Sequence, residues 1–240
     1  MNRPSGDVRI GSFNVEFGKS TTPAEVGEMF LPFELDLIGF CEVPDGDWTQ
    51  RVGQVVGMEH AFVGAISSAN HKDKYKSILS RWPLIHTEEI RLEVDGGWNP
   101  ASVVAGEVDV HGIPVLFHSL HICSCGLANG HARQLAETVL GAKADRCAIA
   151  VGDFNSRLGD EDMKTLVEAG FRSAWQDLPL DLAGLYTYNA FDPQINYGVI
   201  DHIVYAHASG IRAVAGGIIE LPKPLADHKP IWAEIALPSR

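Results

Sequence analysis

Apolar residues alternate with small or polar ones over residues 8–15, the period-two pattern of a β-strand, and Asn14 stands near its end with Glu16 close behind. Residues 35–41 form a mostly apolar strand that runs into Glu42. Residues 147–151, Cys-Ala-Ile-Ala-Val, are apolar throughout and read as a buried strand, which the chain leaves through Gly152-Asp153-Phe154-Asn155. The same patterning predicts strands over 61–63, 84–94, 101–110, 114–121, 199–205 and 231–237, and a return to the core over 77–80. His111-Gly112 predicts a tight turn, and residues 96–100, Gly-Gly-Trp-Asn-Pro, a second one.

Helical spacing is rarer. Residues 23–33 open with Thr22 as N-cap and Pro23 at the first helical position. Residues 48–56 form a second candidate. Residues 132–143 place Leu135, Val139 and Leu140 on one face, and residues 163–169 stop at Gly170. Short strands interleaved with few helices predict sheets packed on sheets, with the helices outside. No internal repeat or linker divides the chain, so residues 1–240 read as one domain.

Several of the strands end in a polar group: Asn14, Glu42, His121 and Asp153. Such endings predict one site across the edge of a sheet sandwich. In Gly152-Asp153-Phe154-Asn155 the carboxylate and the carboxamide are two residues apart and can point the same way. A carboxylate can hold a metal ion or accept a proton, and a carboxamide can donate to an oxyanion. Gly, Asp and Asn after a strand are also ordinary turn chemistry, so the tetrapeptide alone does not choose. Asp201 is expected in the middle of its strand, where a buried carboxylate needs a partner. His202, beside it on the opposite face, reads as structural.

Charge and cysteine content narrow the picture. The net charge of −12 disfavours a protein that wraps long nucleic acid electrostatically. One basic stretch, Asn70-His71-Lys72-Asp73-Lys74-Tyr75-Lys76, reads as a solvated loop or a phosphate contact. Cys41 and Cys147 sit in apolar strands and are expected as buried free thiols. Cys123 and Cys125 lie near His121 and His131, but their spacing matches no common zinc pattern. The first residues lack an apolar signal region, and no apolar run reaches the ~18 residues of a membrane span. A soluble cytoplasmic protein without a membrane span is the expectation.

The ordered set Ser-Phe-Asn14, Phe-Cys-Glu42, Leu-His121, Gly-Asp153-Phe-Asn155, Ile-Asp201-His202-Ile and Asp227-His228-Lys-Pro resembles the endonuclease/exonuclease/phosphatase superfamily, the fold of pancreatic deoxyribonuclease. The resemblance runs from about residue 8 to residue 236. It departs at Cys41, where the family more often has glutamine, and residues 186–198 share only the aromatic character of the family's substrate loop. It implies a four-layer α/β/β/α sandwich of two packed mixed sheets with outer helices, an α+β fold. It also implies a Mg²⁺- or Mn²⁺-dependent phosphoesterase that uses water as nucleophile, because a hard cation must offset the charge of the phosphodiester.

The same resemblance implies Glu42 as main metal ligand, with Asn14 and Asp227 completing or adjoining the site. Asp153 would orient and deprotonate water, and Asn155 would stabilise the oxyanion. Asp201 would orient His228 against the scissile phosphate, as in a triad. His121 would be a second phosphate contact or the proton donor to the leaving group. The expected partner is a small or short phosphoester. A nuclease is the alternative, with the 70–76 loop and the aromatics Trp98, Tyr188 and Tyr197 available to nucleic acid. A non-catalytic binding module would show gaps in this set, and every position is filled.

Overall fold

A computed structural model describes residues 7–93, 99–123, 130–140, 146–207 and 210–238. The turn at 96–98, residues 141–143 of the third expected helix, Trp98 and Cys125 lie outside them. Twelve strands among these residues form two six-stranded sheets. The first sheet holds β1 (Asp7–Asn14), β2 (Leu37–Val43), β3 (His60–Val63), β4 (Tyr75–Ser80), β11 (Arg212–Ile218) and β12 (Ile231–Ala236), in the order β11-β12-β1-β2-β4-β3. The second holds β5 (Ile85–Leu92), β6 (Ala101–Val110), β7 (Ile113–His121), β8 (Cys147–Asp153), β9 (Phe171–Ser173) and β10 (Asp201–Ala206), in the order β5-β6-β7-β8-β10-β9. Both sheets are mixed, with β1 parallel to β2 and β7 parallel to β8.

The alternation along each strand decides the layers. Val8, Ile10, Leu37 and Ile78 of one sheet pack on Val104, Phe117, Ile149, Val151 and Ile203 of the other. The outward residues Phe13, Ile38, Phe40 and Leu79 are covered by Val26 and Phe30 of α1 (Pro23–Phe30) and Val52 of α2 (Trp48–Val56). On the far side, Val103, Leu120, Ala148 and Val204 meet Leu135, Val139, Met163 and Leu166, the last two from α4 (Glu161–Glu168). Helix, sheet, sheet, helix is the expected four-layer sandwich.

Differences from expectation have local causes. α1 ends at Phe30 rather than 33, because Pro32 has no N–H to continue the helical ladder, and the chain tightens into a 3₁₀ turn at Leu31–Phe33. Its start is as expected, with Thr22 and Glu25 forming a reciprocal capping box. The segment expected as one helix over 132–143 is α3 (Gly130–Gln134) followed by a π-helical stretch, Leu135–Leu140. That wider turn puts Leu135, Val139 and Leu140 together on the second sheet. β11 has no counterpart in the periodicity, since its Gly216-Gly217 pair and a register shift at Ala213/Ala215 break the alternation.

The sheets draw close at the end where the polar residues collect. A Cβ on Gly39 would lie 2.2 Å from Val151 Cγ2, so only glycine lets β2 approach β8 there. Ser119 Oγ donates across the gap to the Phe40 carbonyl at 2.9 Å. Within the second sheet, Gly152 has φ +145°, and a Cβ there would lie 2.0 Å from the Leu120 carbonyl oxygen.

Candidate functional site

The strand ends meet in one place. In the parallel pair β7–β8, His121 stands beside Asp153, and in the antiparallel pair β8–β10, Asp153 stands beside Asp201. Because β10 runs the other way, its first residue shares the edge where β8 ends. Asp201 is therefore at the start of its strand and not in the middle, as its sequence pattern suggested. Thr187 Oγ1 causes this start. It accepts the N–H groups of Ile200 and Asp201 at 3.0 and 3.1 Å. Trp175 Nε1 donates to the Asp201 carbonyl at 3.0 Å and steadies it from behind.

Asp153 is the hub. Its Oδ1 accepts the Asn155 N–H at 2.8 Å, the local turn that Asp and Asn favour. Its Oδ2 accepts from Asn14 Nδ2 at 3.1 Å, which ties the first sheet to the second. The same oxygen lies 3.3 Å from His121 Nε2 and 3.4 Å from His228 Nε2. On the other side of the imidazole, His228 Nδ1 pairs with Asp201 Oδ2 at 2.8 Å. Asn155, at φ +50°, turns its amide to donate to the Ile122 carbonyl at 2.9 Å and to face His121 Nε2 at 3.2 Å.

Glu42 comes to the same cavity through a distortion of β2. The register with β4 shifts between Cys41 and Val43, and Glu42 takes φ +53°, so a bulge aims its side chain at the pocket. Its Oε1 lies 2.8 Å from Lys74 Nζ and 3.6 Å from His121 Nδ1. Glu16, which sequence reasoning passed over as the residue after a strand, also lines the cavity. Its backbone N–H donates to Asn14 Oδ1 at 3.1 Å, and its φ of +45° turns it inward. The signal was present in the i, i+2 spacing from Asn14. The cavity encloses about 520 Å³ and is lined by Glu16, Glu42, Asp153, Asp227, Lys74 and His228, with Phe17 and Tyr188 on its walls.

Burial and neighbours set the charges. Burial raises the Asp153 carboxyl, with His228 and His121 opposing and Asp201 adding to the rise. Burial would lower His228, but Asp201 and Asp153 outweigh it and raise the imidazole to about 10. Burial lowers His121, against the opposing pull of Asp153 and Glu42. Burial also works to raise Glu42, yet His121 and Lys74 hold it below the usual carboxylate range. Asp227 rises to about 6, first through burial and then through Glu16, Glu42 and Asp153.

The donor set fits a hard divalent cation. Among the described residues, Glu16 Oε2, Asp201 Oδ1 and Asp227 Oδ1 are buried without a hydrogen-bond partner. Buried anionic oxygens need a cation or donors. Carboxylates and an amide are oxygen ligands of the kind Mg²⁺ and Mn²⁺ take. The ligand atoms of Asp153, Asp201 and His228 lie within 4.8 Å of one another, the spacing of a metal triad. We read them as a hydrogen-bonded chain instead, because both nitrogens of His228 face carboxylates and the ring keeps its proton. The unpartnered oxygens of Asp227 and Glu16, beside the Glu42 carboxylate, suit a metal better.

His202 is buried and structural. Its Nδ1 faces Ser173 Oγ at 3.1 Å and its Nε2 faces the Ser156 carbonyl at 2.8 Å. Cys41 and Cys147 are buried free thiols. Cys123 is disulfide-bonded and does not offer a thiolate to metal. His131 accepts the Cys123 N–H at 3.1 Å and faces Asn99 Oδ1 at 3.3 Å. The basic loop is less solvated than its composition suggests: Lys74 turns into the pocket and Lys76 is fully buried in β4.

Acids, amides and histidines gathered at the strand ends of a double-sheet sandwich define a class of hydrolases acting on phosphoesters. The chain belongs to the endonuclease/exonuclease/phosphatase family, whose model matches residues 11–228. The resemblance read from the motifs is thereby borne out. Among solved structures, an endonuclease/exonuclease/phosphatase from Beutenbergia cavernae superposes with a TM-score of 0.78 at 17% identity, covering 97% of this chain and 72% of that one. The mannosyl-6-phosphatase Bt3783 of Bacteroides thetaiotaomicron gives a TM-score of 0.74 at 16% identity, over 96% and 100% of the chains. The human Nocturnin catalytic domain, with a bound sulfate anion, gives 0.73 at 14%, over 97% and 94%. None of the curated proteins searched matches the sequence. No helix among the described residues is long and apolar enough to cross a membrane.

Proposed function

We propose that the protein is a Mg²⁺- or Mn²⁺-dependent phosphodiesterase that hydrolyses a small or short substrate by in-line attack of water. The observation that carries this reading is the buried chain Asp201–His228–Asp153, closed in beside Glu42 and Asp227. Glu42 would be the main metal ligand, with Asn14 and Asp227 beside it. The bound cation offsets negative charge on the phosphoryl group.

The chain's own residues do the rest. Asp153 aims water through Oδ2 and accepts its proton, for which burial has raised its basicity. Asp201 holds His228 by Nδ1, so that the positively charged ring faces the phosphoryl oxygens from the Asp153 side. Asn155 donates to the same developing charge through the amide hydrogen that faces His121 Nε2 in the resting site. His121 is a second phosphate contact. Supplying the leaving group's proton is its other candidate role.

An acidic cavity of about 520 Å³ supports a compact substrate. An extended nucleic acid would need a track of cations beyond it. The specific observation favouring a nuclease is the Tyr188 ring, 5.0 Å from His228 and 5.5 Å from Tyr197, a surface on which a base can stack. Hydrolysis of bis-p-nitrophenyl phosphate tests the main reading. Activity that survives EDTA or Glu42→Ala overturns it, and cleavage of plasmid or oligonucleotide at low salt moves the assignment to nuclease.

A further inference from the structure

The reaction above leaves the Lys74 ammonium without a part, although it lies inside the pocket. Its Nζ sits 2.8 Å from Glu42 Oε1 and 5.8 Å from the centroid of the Phe17 ring on the pocket wall. The backbone that carries it is pinned. The Lys74 N–H donates to Ser67 Oγ at 2.9 Å, and its carbonyl accepts the Ser68 N–H at 3.0 Å.

Two charged side chains, half-buried Glu89 and fully buried Lys76, hold the same loop from below. Glu89 accepts the N–H groups of Ala65 and Ile66 at 2.6 and 3.1 Å, and the Ser102 hydroxyl at 2.7 Å. Lys76 Nζ donates to the Ile66 carbonyl at 2.6 Å and to Ser68 Oγ at 3.2 Å. With its backbone fixed, the loop's moving part is the Lys74 side chain, a point charge on a flexible four-carbon stem. Glu42 meanwhile sits in a left-handed conformation on a bulge, a distortion that a partly exposed ion pair does not require.

We propose that Lys74 is an exchangeable counter-ion, which neutralises Glu42 until a divalent cation arrives and then binds an anionic oxygen of the substrate or its phosphate product. The inference rests on the divalent-metal reading of the pocket. An ammonium at 2.8 Å takes one of the two Glu42 carboxylate oxygens, and it repels a second cation placed there. Released from Glu42, it remains in the same cavity, where a phosphoryl group is the incoming anion. Metal and phosphate binding are then positively coupled through this residue.

Calorimetric titration of Mn²⁺ into the full chain stripped of metal tests this, using wild type, Lys74→Met and Lys74→Arg. Inorganic phosphate is then titrated into each Mn²⁺-saturated protein. Lys74→Met is expected to bind Mn²⁺ about tenfold tighter than wild type and phosphate about tenfold weaker. Lys74→Arg should keep phosphate affinity within about threefold of wild type. Equal Mn²⁺ affinity in wild type and Lys74→Met, or undiminished phosphate binding, overturns the exchange and leaves the metal reading standing. Failure of all three folded proteins to bind Mn²⁺ overturns both.

Discussion

Two buried histidines flank the same strand and have opposite lives. His228 faces the pocket side of the start of β10, between Asp201 and Asp153. His202 faces the helix side one residue further on, between a serine hydroxyl and a carbonyl, with the Phe154 ring 5.5 Å away. Burial acts on both in the same direction, against the charged ring. On the pocket side two carboxylates overcome it and raise His228 to about 10. On the helix side burial dominates, the Ser156 carbonyl and Asp160 oppose it too weakly, and His202 falls to about 4. The charged ring of His228 can attract a phosphate, whereas His202, neutral and closed in by Ser173 and Ser156, joins elements together. Partner chemistry separates the pocket face from the architectural one.

The comparison can be broken from either face. The largest effect is expected from Asp153→Asn, which removes the proposed proton acceptor and should lower kcat on bis-p-nitrophenyl phosphate by about 10³-fold. Far-UV circular dichroism should be unchanged. A variant that keeps a tenth of wild-type turnover would end the pocket-face argument.

Next comes acid stability on the helix face. The folded pKa of His202 lies below its unfolded value, so between pH 6.5 and about 4 the unfolded chain binds a proton that the native one refuses. Stability is therefore full above pH 6.5 and falls as acid is added, by up to about 3 kcal/mol from this residue. Urea unfolding of His202→Gln across that window should show a flatter loss, with kcat of the folded enzyme unaffected. His228 has the opposite sign. Its raised pKa stabilises the native state below pH 6.5, and that contribution fades as pH climbs from 6.5 towards about 10.

A middle-sized effect belongs to Asp201→Asn. Without the anion His228 loses much of its hold on the proton, so the alkaline limb of the pH–rate profile should move to lower pH. Turnover should fall by about 10²-fold. An unmoved alkaline limb would show that Asp201 does not set the charge on His228. The smallest change is Thr187→Val, which leaves the Ile200 and Asp201 N–H groups without their acceptor. It should cost about 1 kcal/mol in thermal unfolding and raise KM more than it lowers kcat.

The legible parts of this protein were those with a local cause. Alternation marked β1 and β12, and continuous apolar runs marked β2 and β8, which are buried along their whole length. Thr22 and Pro23 marked a helix start because the cap acts within four residues. The polar strand endings marked the site because strands paired in one register end together. Lys74 and Lys76 were not separable, since both stand in one basic run, and only packing decides which reaches Glu42 and which is buried against Ile66 and Ser68. Asp201 was misplaced within its strand because the interruption comes from a threonine fourteen residues away.

By itself, then, the order of residues determined which elements form, and that acids, amides and histidines would stand at their ends. Tertiary structure alone decided the charge each one carries and which way it points. It set Gly39 against Val151 so that the sheets close near the site, and it bulged β2 to aim Glu42. It gave His228 two carboxylates and His202 none. The physical reason is range: backbone propensity is read within a few residues, whereas burial and pairing belong to groups that meet only after the chain has folded.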